Sequence, residues 1–198
     1  MKPTIEFYFD FGSPTSYLAW TQLPEMARGA NAELVFRPIL LGAVHKMTGN
    51  VSPAVVELKA RWMGKDLQRF AKRYGVPFSF NPFFPINTLK LMRAATASML
   101  VGPDMFHQYL DIIFPALWVD QKNLGDPEVV IATLSAGGMD AGALFAMTED
   151  PAVKERLKAD TDAAVARGVF GAPTMFFGDQ MYFGQDRLDF LSEDLHAA

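Results

Sequence analysis

Ile5, Phe7, Phe9 and Phe11 alternate with Glu6, Tyr8 and Asp10. A period of two puts successive side chains on opposite faces, so this stretch predicts a β-strand. Tyr17, Leu18, Leu23 and Met26 then follow helical spacing, and Arg28-Gly29 supplies a glycine stop. Residues 33–41, ELVFRPILL, read as a second strand, with Pro38 marking an edge or an end. Strand, helix and strand in this order imply a parallel pair joined by a right-handed crossover.

The pattern then changes. Ser52-Pro53, Asp126-Pro127 and Asp150-Pro151 each set a capping side chain before a proline suited to the first helical position. Val55, Leu58, Trp62, Leu67, Phe70 and Tyr74 recur at helical spacing, as do Leu89, Met92, Ala95 and Met99. Another helical set follows Gly102-Pro103, namely Met105, Tyr109, Ile112 and Ile113. Near the C-terminus Thr174-Met175-Phe176-Phe177, Gly178-Asp179-Gln180 and Met181-Tyr182-Phe183 read as a hairpin. A last amphipathic helix from about Asp186 carries Leu188, Phe190, Leu191 and Leu195. The expected fold is α/β: strand–helix–strand, a helical block, a long helix, two strands and a helix, with no internal repeat.

Composition narrows the function. A chain of 198 residues, 50% hydrophobic, 13% aromatic and 20% charged, has ample core for one large domain or one domain with an insertion. The net charge of −4, with Lys and Arg in no cluster beyond pairs such as Lys72-Arg73, argues against nucleic acid as a partner. No apolar run approaches the roughly 18 residues of a membrane span, and Glu6 and Asp10 interrupt any signal-peptide pattern. A cytoplasmic protein without a membrane partner is expected. Cysteine is absent, which removes disulfides, thiolate metal sites and a cysteine nucleophile.

Ser135-Ala136-Gly137-Gly138 lacks the Lys-Ser/Thr of a phosphate loop, and Gly178 and Gly184 make no dinucleotide fingerprint. His45, His107 and His196 are far apart and no His-Glu-x-x-His occurs, so no metal is expected. Asp10, Asp186 and Asp189 are carboxylates that nothing local singles out as an acid–base pair. Ser13, in Phe11-Gly12-Ser13-Pro14-Thr15, has two readings. It is a helix N-cap, contributing about 1 kcal/mol, or it lies at a strand-to-helix turn whose N–H groups and dipole favour an anion. No His or Lys is adjacent to serve as its base, and the G-x-S-x-G elbow is not matched, so a serine hydrolase is poorly supported. In Val169-Phe170-Gly171-Ala172-Pro173-Thr174 the X-Pro bond is trans or cis. A cis bond would turn the Ala172 N–H and C=O outward toward an extended ligand.

FYFDFGSP (7–14), GN (49–50), DLQRFAKRYGVP (66–77), FPINTL (84–89), VFGAPTMFFGD (169–179) and FGQDRL (183–188) together span nearly the whole chain. In these stretches the chain resembles the 2-hydroxychromene-2-carboxylate isomerases and the related kappa-class glutathione transferases. The resemblance implies a thioredoxin-like fold with a large all-helical insertion. Residues 1–41 and 150–198 would form the thioredoxin-like part and 42–149 the inserted helical domain. It implies a glutathione-dependent isomerase of aromatic hydrocarbon catabolism, naphthalene degradation included. The alternatives are a kappa-like transferase that releases a conjugate and a non-catalytic thioredoxin-like binding module. Glutathione would be the cofactor and a small aromatic molecule the substrate, with a homodimer left open.

Position by position, the resemblance makes Ser13 the catalytic donor to the glutathione sulfur, where redox relatives carry a cysteine. Ala172 would pair its backbone with the cysteinyl unit, while Gln185 and Asp186 hold the γ-glutamyl end. Asn50 and His45 would hold the glycyl or central part, and Tyr17, Phe84, Asn87 and Trp118 would line the substrate pocket. Phe84 and Trp118 equally fit ordinary core packing. Two departures bear on the substrate. Thr15 stands where the family commonly has an aromatic residue, and His45 stands at an often basic position, charged only part of the time near neutral pH.

Overall fold

The computed structural model describes residues 2–197; positions 1 and 198, the outer limits of the expected thioredoxin-like part, lie outside them. β1 (Thr4–Phe9), α1 (Pro14–Gly29) and β2 (Glu33–Pro38) open the chain. β1 and β2 run parallel, Thr4 opposite Glu33 and Phe9 opposite Pro38. The strand expected over 33–41 is shorter, because α2 (Leu41–Thr48) starts three residues after Pro38. Gly29 is the last helical residue rather than the stop, and the left-handed residue of that turn is Asn31, at φ 50°.

The helical block continues with a 3-10 turn (Pro53–Val55), α3 (Glu57–Tyr74), α4 (Leu89–Val101), α5 (Pro103–Trp118), α6 (Pro127–Ala136) and α7 (Ala141–Met147). α8 (Pro151–Ala166) then leads to β3 (Thr174–Phe177) and β4 (Gln180–Phe183). A 3-10 turn (Gln185–Arg187) precedes α9 (Leu188–Ala197), so the last helix begins two residues later than its sequence pattern suggests. The capped starts form as expected: Ser13, Ser52, Asp126 and Asp150 accept from the backbone N–H of Ser16, Ala54, Glu128 and Ala152.

The sheet order is β2-β1-β3-β4, with β3 antiparallel to both β1 and β4. β1 is therefore central, and both of its faces are covered. Ile5, Phe7 and Phe9 join the main core, in which Phe9 meets Phe114 of α5 and Phe36 of β2. On the other face Tyr8 packs with Ile39, Val44, Ala164, Val169 and Phe176. This is the thioredoxin-like arrangement, with an all-helical insertion between β2 and β3. One continuous apolar cluster joins the sheet to the inserted helices.

α3 departs from its apolar pattern. Val55, Leu58 and Trp62 are exposed, and only Leu67 and Ala71 of this helix are buried. Its first half borders an opening rather than the core.

Glu6, on the otherwise covered second face of β1, accepts from Arg37 (3.0 Å) and pairs with Arg167, which also reaches Tyr8 Oη at 3.1 Å. Burial pushes the Glu6 carboxyl up, but the two guanidiniums win and hold it below its ordinary 4.5. A depressed carboxyl contributes stability that is present above its unfolded value and lost as pH falls through the folded one. Glu6→Gln is therefore expected to lower stability at pH 7 by about 1–2 kcal/mol. The parent and variant melting curves should converge as pH drops below 4.5. A melting-temperature difference that stays constant across that range would remove Glu6 from the acid response.

Candidate active site

After β1 the chain turns at Gly12 and enters α1. Asp10, fully buried beneath this turn, accepts from Gly12 N–H (2.8 Å) and Thr88 Oγ1 (2.7 Å) on one oxygen and from Leu41 N–H (2.8 Å) on the other. A single carboxylate thus ties the turn to the starts of α2 and α4. Burial pushes Asp10 above the usual carboxylate range, against the pull of these donors and of His45. A Cβ on Gly12 would stand 3.2 Å from the Thr88 methyl, so the turn packs closely on α4.

Ser13 is 4% exposed. Its Oγ accepts from Ser16 N–H (3.1 Å), lies 2.8 Å from Ala172 O and 2.8 Å from Thr15 Oγ1. It is therefore the cap of α1 and also a lining residue of the cleft described below. No acidic or basic side chain hydrogen-bonds it among the described residues, so a Ser-His-Asp arrangement is absent there.

Across from Ser13 the Ala172–Pro173 peptide is cis, the choice that local sequence left open; Phe84–Pro85 is cis as well. Among the described residues the Ala172 N–H has no hydrogen-bond partner, while its carbonyl takes the Ser13 hydroxyl. Asn50 braces this loop from the far side, Nδ2 donating to Phe170 O at 2.8 Å. Gly171 has no room for a side chain, since a Cβ would fall 2.7 Å from the Phe183 ring. Gly171→Ala is expected to destabilise by about 1–3 kcal/mol, the usual cost of overpacking. Phe183→Leu in the same chain should recover part of the lost melting temperature by vacating that space. An unchanged melting temperature in the single variant would show that the loop yields freely.

These pieces line one cleft of about 560 Å³, within the range that holds small-molecule ligands. Its walls are the Gly12–Thr15 turn, the end of α2 with the segment to Val56, the first half of α3, the 171–173 loop and residues 183–187. Gln185 is buried, its side-chain amide has no partner among the described residues, and its backbone carbonyl accepts from Tyr74 Oη at 2.6 Å. Asp186 pairs with Arg187 at 2.8 Å, both side chains being about half exposed. Gly184 adopts φ 98°, and a Cβ there would strike the Asp186 carboxylate, which folds back over it. Lys59 of α3 also lines the cleft, and nearby Glu57 is taken by Arg61. Val56, Trp62, Met63, Phe80 and Phe84 give the lining much of its apolar surface. Burial pulls His45 below its ordinary value, with Asp10 resisting, so the imidazole is more often neutral than its sequence position suggests.

Residues 4–196 match the family model for DSBA-like thioredoxin domains. The chain is 34% identical over 197 residues to a 2-hydroxychromene-2-carboxylate isomerase of Sphingobium xenophagum, covering 98% of this chain and 99% of that protein. It belongs to the 2-hydroxychromene-2-carboxylate isomerase family. A solved structure of a selenomethionine 2-hydroxychromene-2-carboxylate isomerase superposes with a TM-score of 0.85 at 31% identity, over 98% of this chain and 95% of that one. Human glutathione S-transferase kappa 1 is 29% identical over 201 residues, 96% of this chain and 89% of that protein.

Of the residues that family resemblance singled out, Ser13, His45, Asn50, Phe84, Ala172, Gln185 and Asp186 share the cleft. Tyr17, Asn87 and Trp118 are not on its lining. Tyr17 is buried with its hydroxyl donating to Pro77 O, and Asn87 is exposed, accepting from Leu89 N–H at the start of α4. Trp118 is 1% exposed, donates Nε1–H to Phe11 O and stacks on Phe78, so it backs Phe84 without facing the cleft. Sequence reasoning passed over Lys59, Trp62, Met63 and the clamping role of Asp10. The apolar stripe of α3 gave no signal for the residues of this helix, since helical spacing alone predicts burial along its whole length.

Proposed function

We propose that the protein is a glutathione-dependent isomerase of aromatic hydrocarbon catabolism. It would interconvert 2-hydroxychromene-2-carboxylate and trans-o-hydroxybenzylidenepyruvate type compounds. The observation that carries the reading is the make-up of this cleft in a chain without cysteine. A peptide-like thiol with charged ends fits the donors and acceptors found there. The free N–H of Ala172 suits strand-like pairing with a peptide backbone. Gln185 and Asp186 suit the α-amino-acid end, and Lys59, helped by His45 and the remaining amide hydrogen of Asn50, suits a carboxylate at the other.

When bound, glutathione supplies a thiolate that adds reversibly to a conjugated enone, making its carbon–carbon double bond single long enough to rotate. The chain's own contribution is electrostatic and positional. The Ser13 hydroxyl and the first turn of α1 favour negative charge at the sulfur, which lowers its pKa. Phe84, Trp62 and Met63 on the cleft lining would offer an aromatic ring an apolar surface. Neither Ser13 nor any other residue is asked to act as the nucleophile.

Kappa-like transfer is the second reading, supported by the similarity to the human kappa transferase. Purified protein, glutathione and a hydroxychromene carboxylate separate the two. Growth of the ring-opened product's absorbance with no net thiol loss supports the isomerase. Stoichiometric thiol loss supports the transferase, and glutathione binding without turnover of any electrophile supports a binding module.

A further inference from the structure

We infer that Thr15 is a positioning residue for Ser13, donating its hydroxyl to Ser13 Oγ so that the single Ser13 proton is aimed at an acceptor in the cleft. This role rests on the glutathione reading above. The distances favour one assignment of protons over the alternative, in which Ser13 donates to Thr15 and Thr15 donates to Ala172 O at 3.4 Å. The Ala172 carbonyl can only accept, so at 2.8 Å Ser13 donates to it. Ser16 N–H donates to one lone pair of Ser13 Oγ at 3.1 Å. With the Ser13 proton on Ala172 O, Thr15 Oγ1, 2.8 Å away, donates to the other. Ser13 accepts twice and donates once, and a hydroxyl polarised by two donors is itself a stronger donor.

The same geometry lets a ligand redirect that proton. A peptide backbone laid along Ala172 brings its own N–H to the carbonyl that Ser13 now occupies. Ser13 is then free to turn its O–H toward the sulfur, while Ser16 N–H and the Thr15 hydroxyl keep Oγ in place. Thr15 lies 3.4 Å from Ala172 O, too long to compete with its contact to Ser13. Thr15 is only partly buried in the first turn of α1, where valine matches its shape, so the hydroxyl can be removed with little packing change.

The test compares the parent, Thr15→Val, Thr15→Ser, Ser13→Ala and the Ser13→Ala/Thr15→Val double variant. The pH at which bound glutathione ionises is read by thiolate absorbance, alongside turnover and melting temperature. The charged and titratable groups lining the cleft are His45 on α2, Lys59 and Asp66 on α3, and Asp186 and Arg187 before α9, with Asp10 beneath the turn. None of the substitutions replaces them. Thr15→Val should raise the ionisation pH and slow turnover about two- to tenfold, the scale of one neutral hydrogen bond. Thr15→Ser should restore both, with all melting temperatures close to the parent's apart from the loss of the Ser13 cap. In the Ser13→Ala background Thr15→Val should change nothing further, since Thr15 acts through the Ser13 hydroxyl. An unchanged ionisation pH in Thr15→Val, or a Thr15 effect that survives in Ser13→Ala, overturns this role alone. A parent that binds no glutathione overturns the glutathione reading and this role with it.

Discussion

Ser13→Ala is expected to fold and to bind glutathione but to turn over substrate about 10²–10³-fold more slowly, the scale for losing one donor to a stabilised anion. The pH at which the bound thiol ionises should rise as well. The structure separates this effect from the loss of a helix cap. Ser13 accepts from Ser16 N–H, and losing that cap costs about 1 kcal/mol, which lowers the melting temperature without touching the sulfur. Its proton, by contrast, points across the cleft to Ala172. A variant that melts slightly earlier but titrates its bound thiol like the parent would leave Ser13 as a cap and nothing more.

Asp186→Asn is expected to lower glutathione affinity more than tenfold while barely moving the melting temperature of the ligand-free protein. Asp186 has one ionic partner among the described residues, the adjacent Arg187, and both side chains are about half exposed. Such a pair contributes little to stability. A charge-assisted hydrogen bond to a bound α-ammonium contributes about 1.5–3 kcal/mol when partly desolvated, and the exposure of Asp186 favours the lower end. Asparagine keeps the size needed above Gly184, where a side chain at position 184 would collide with the carboxylate. Glutathione blocked at its amine should bind the parent poorly and distinguish little between parent and variant. Equal calorimetric affinities of the two proteins for unmodified glutathione would take Asp186 out of the site.

Much of this molecule was legible along the chain because the governing interactions are short in sequence. Period-two alternation at Ile5–Phe11 and the Ser/Asp-Pro pairs at 13–14, 52–53, 126–127 and 150–151 mark strands and helix starts from neighbours one to four residues away. The hairpin over 174–183 follows from Gly178, which takes φ 58° in a two-residue turn. The stretches FYFDFGSP, VFGAPTMFFGD and FGQDRL carried the family resemblance. They also supplied Ser13, Ala172, Gln185 and Asp186, which share one cleft.

The errors lie where a residue's surroundings come from distant segments. Leu41 reads as the end of a strand, yet the buried Asp10 carboxylate accepts its N–H and the chain turns into α2. Trp118 and Phe84 are both large aromatics of the helical insertion. Trp118 sinks to the core because the Phe11 carbonyl satisfies its indole N–H, and Phe84 is left to face the cleft. The apolar stripe of α3 predicts burial along its whole length. Its first half instead leaves Leu58 and Trp62 exposed, and Trp62 and Met63 become walls of the cleft.

The sequence by itself determined the α/β order of elements, the capped turn at Ser13, the absence of any protein thiol and the family. Each of these depends on residue identity or on spacing within a few positions. The tertiary structure alone decided that Ser13 meets Ala172, 159 residues away, across a cis peptide, and that Asp10 gathers three segments beneath them. Those contacts arise when the parallel β1–β2 pair and the antiparallel β3 settle into one sheet, and no local pattern encodes which carbonyl will stand opposite a given hydroxyl.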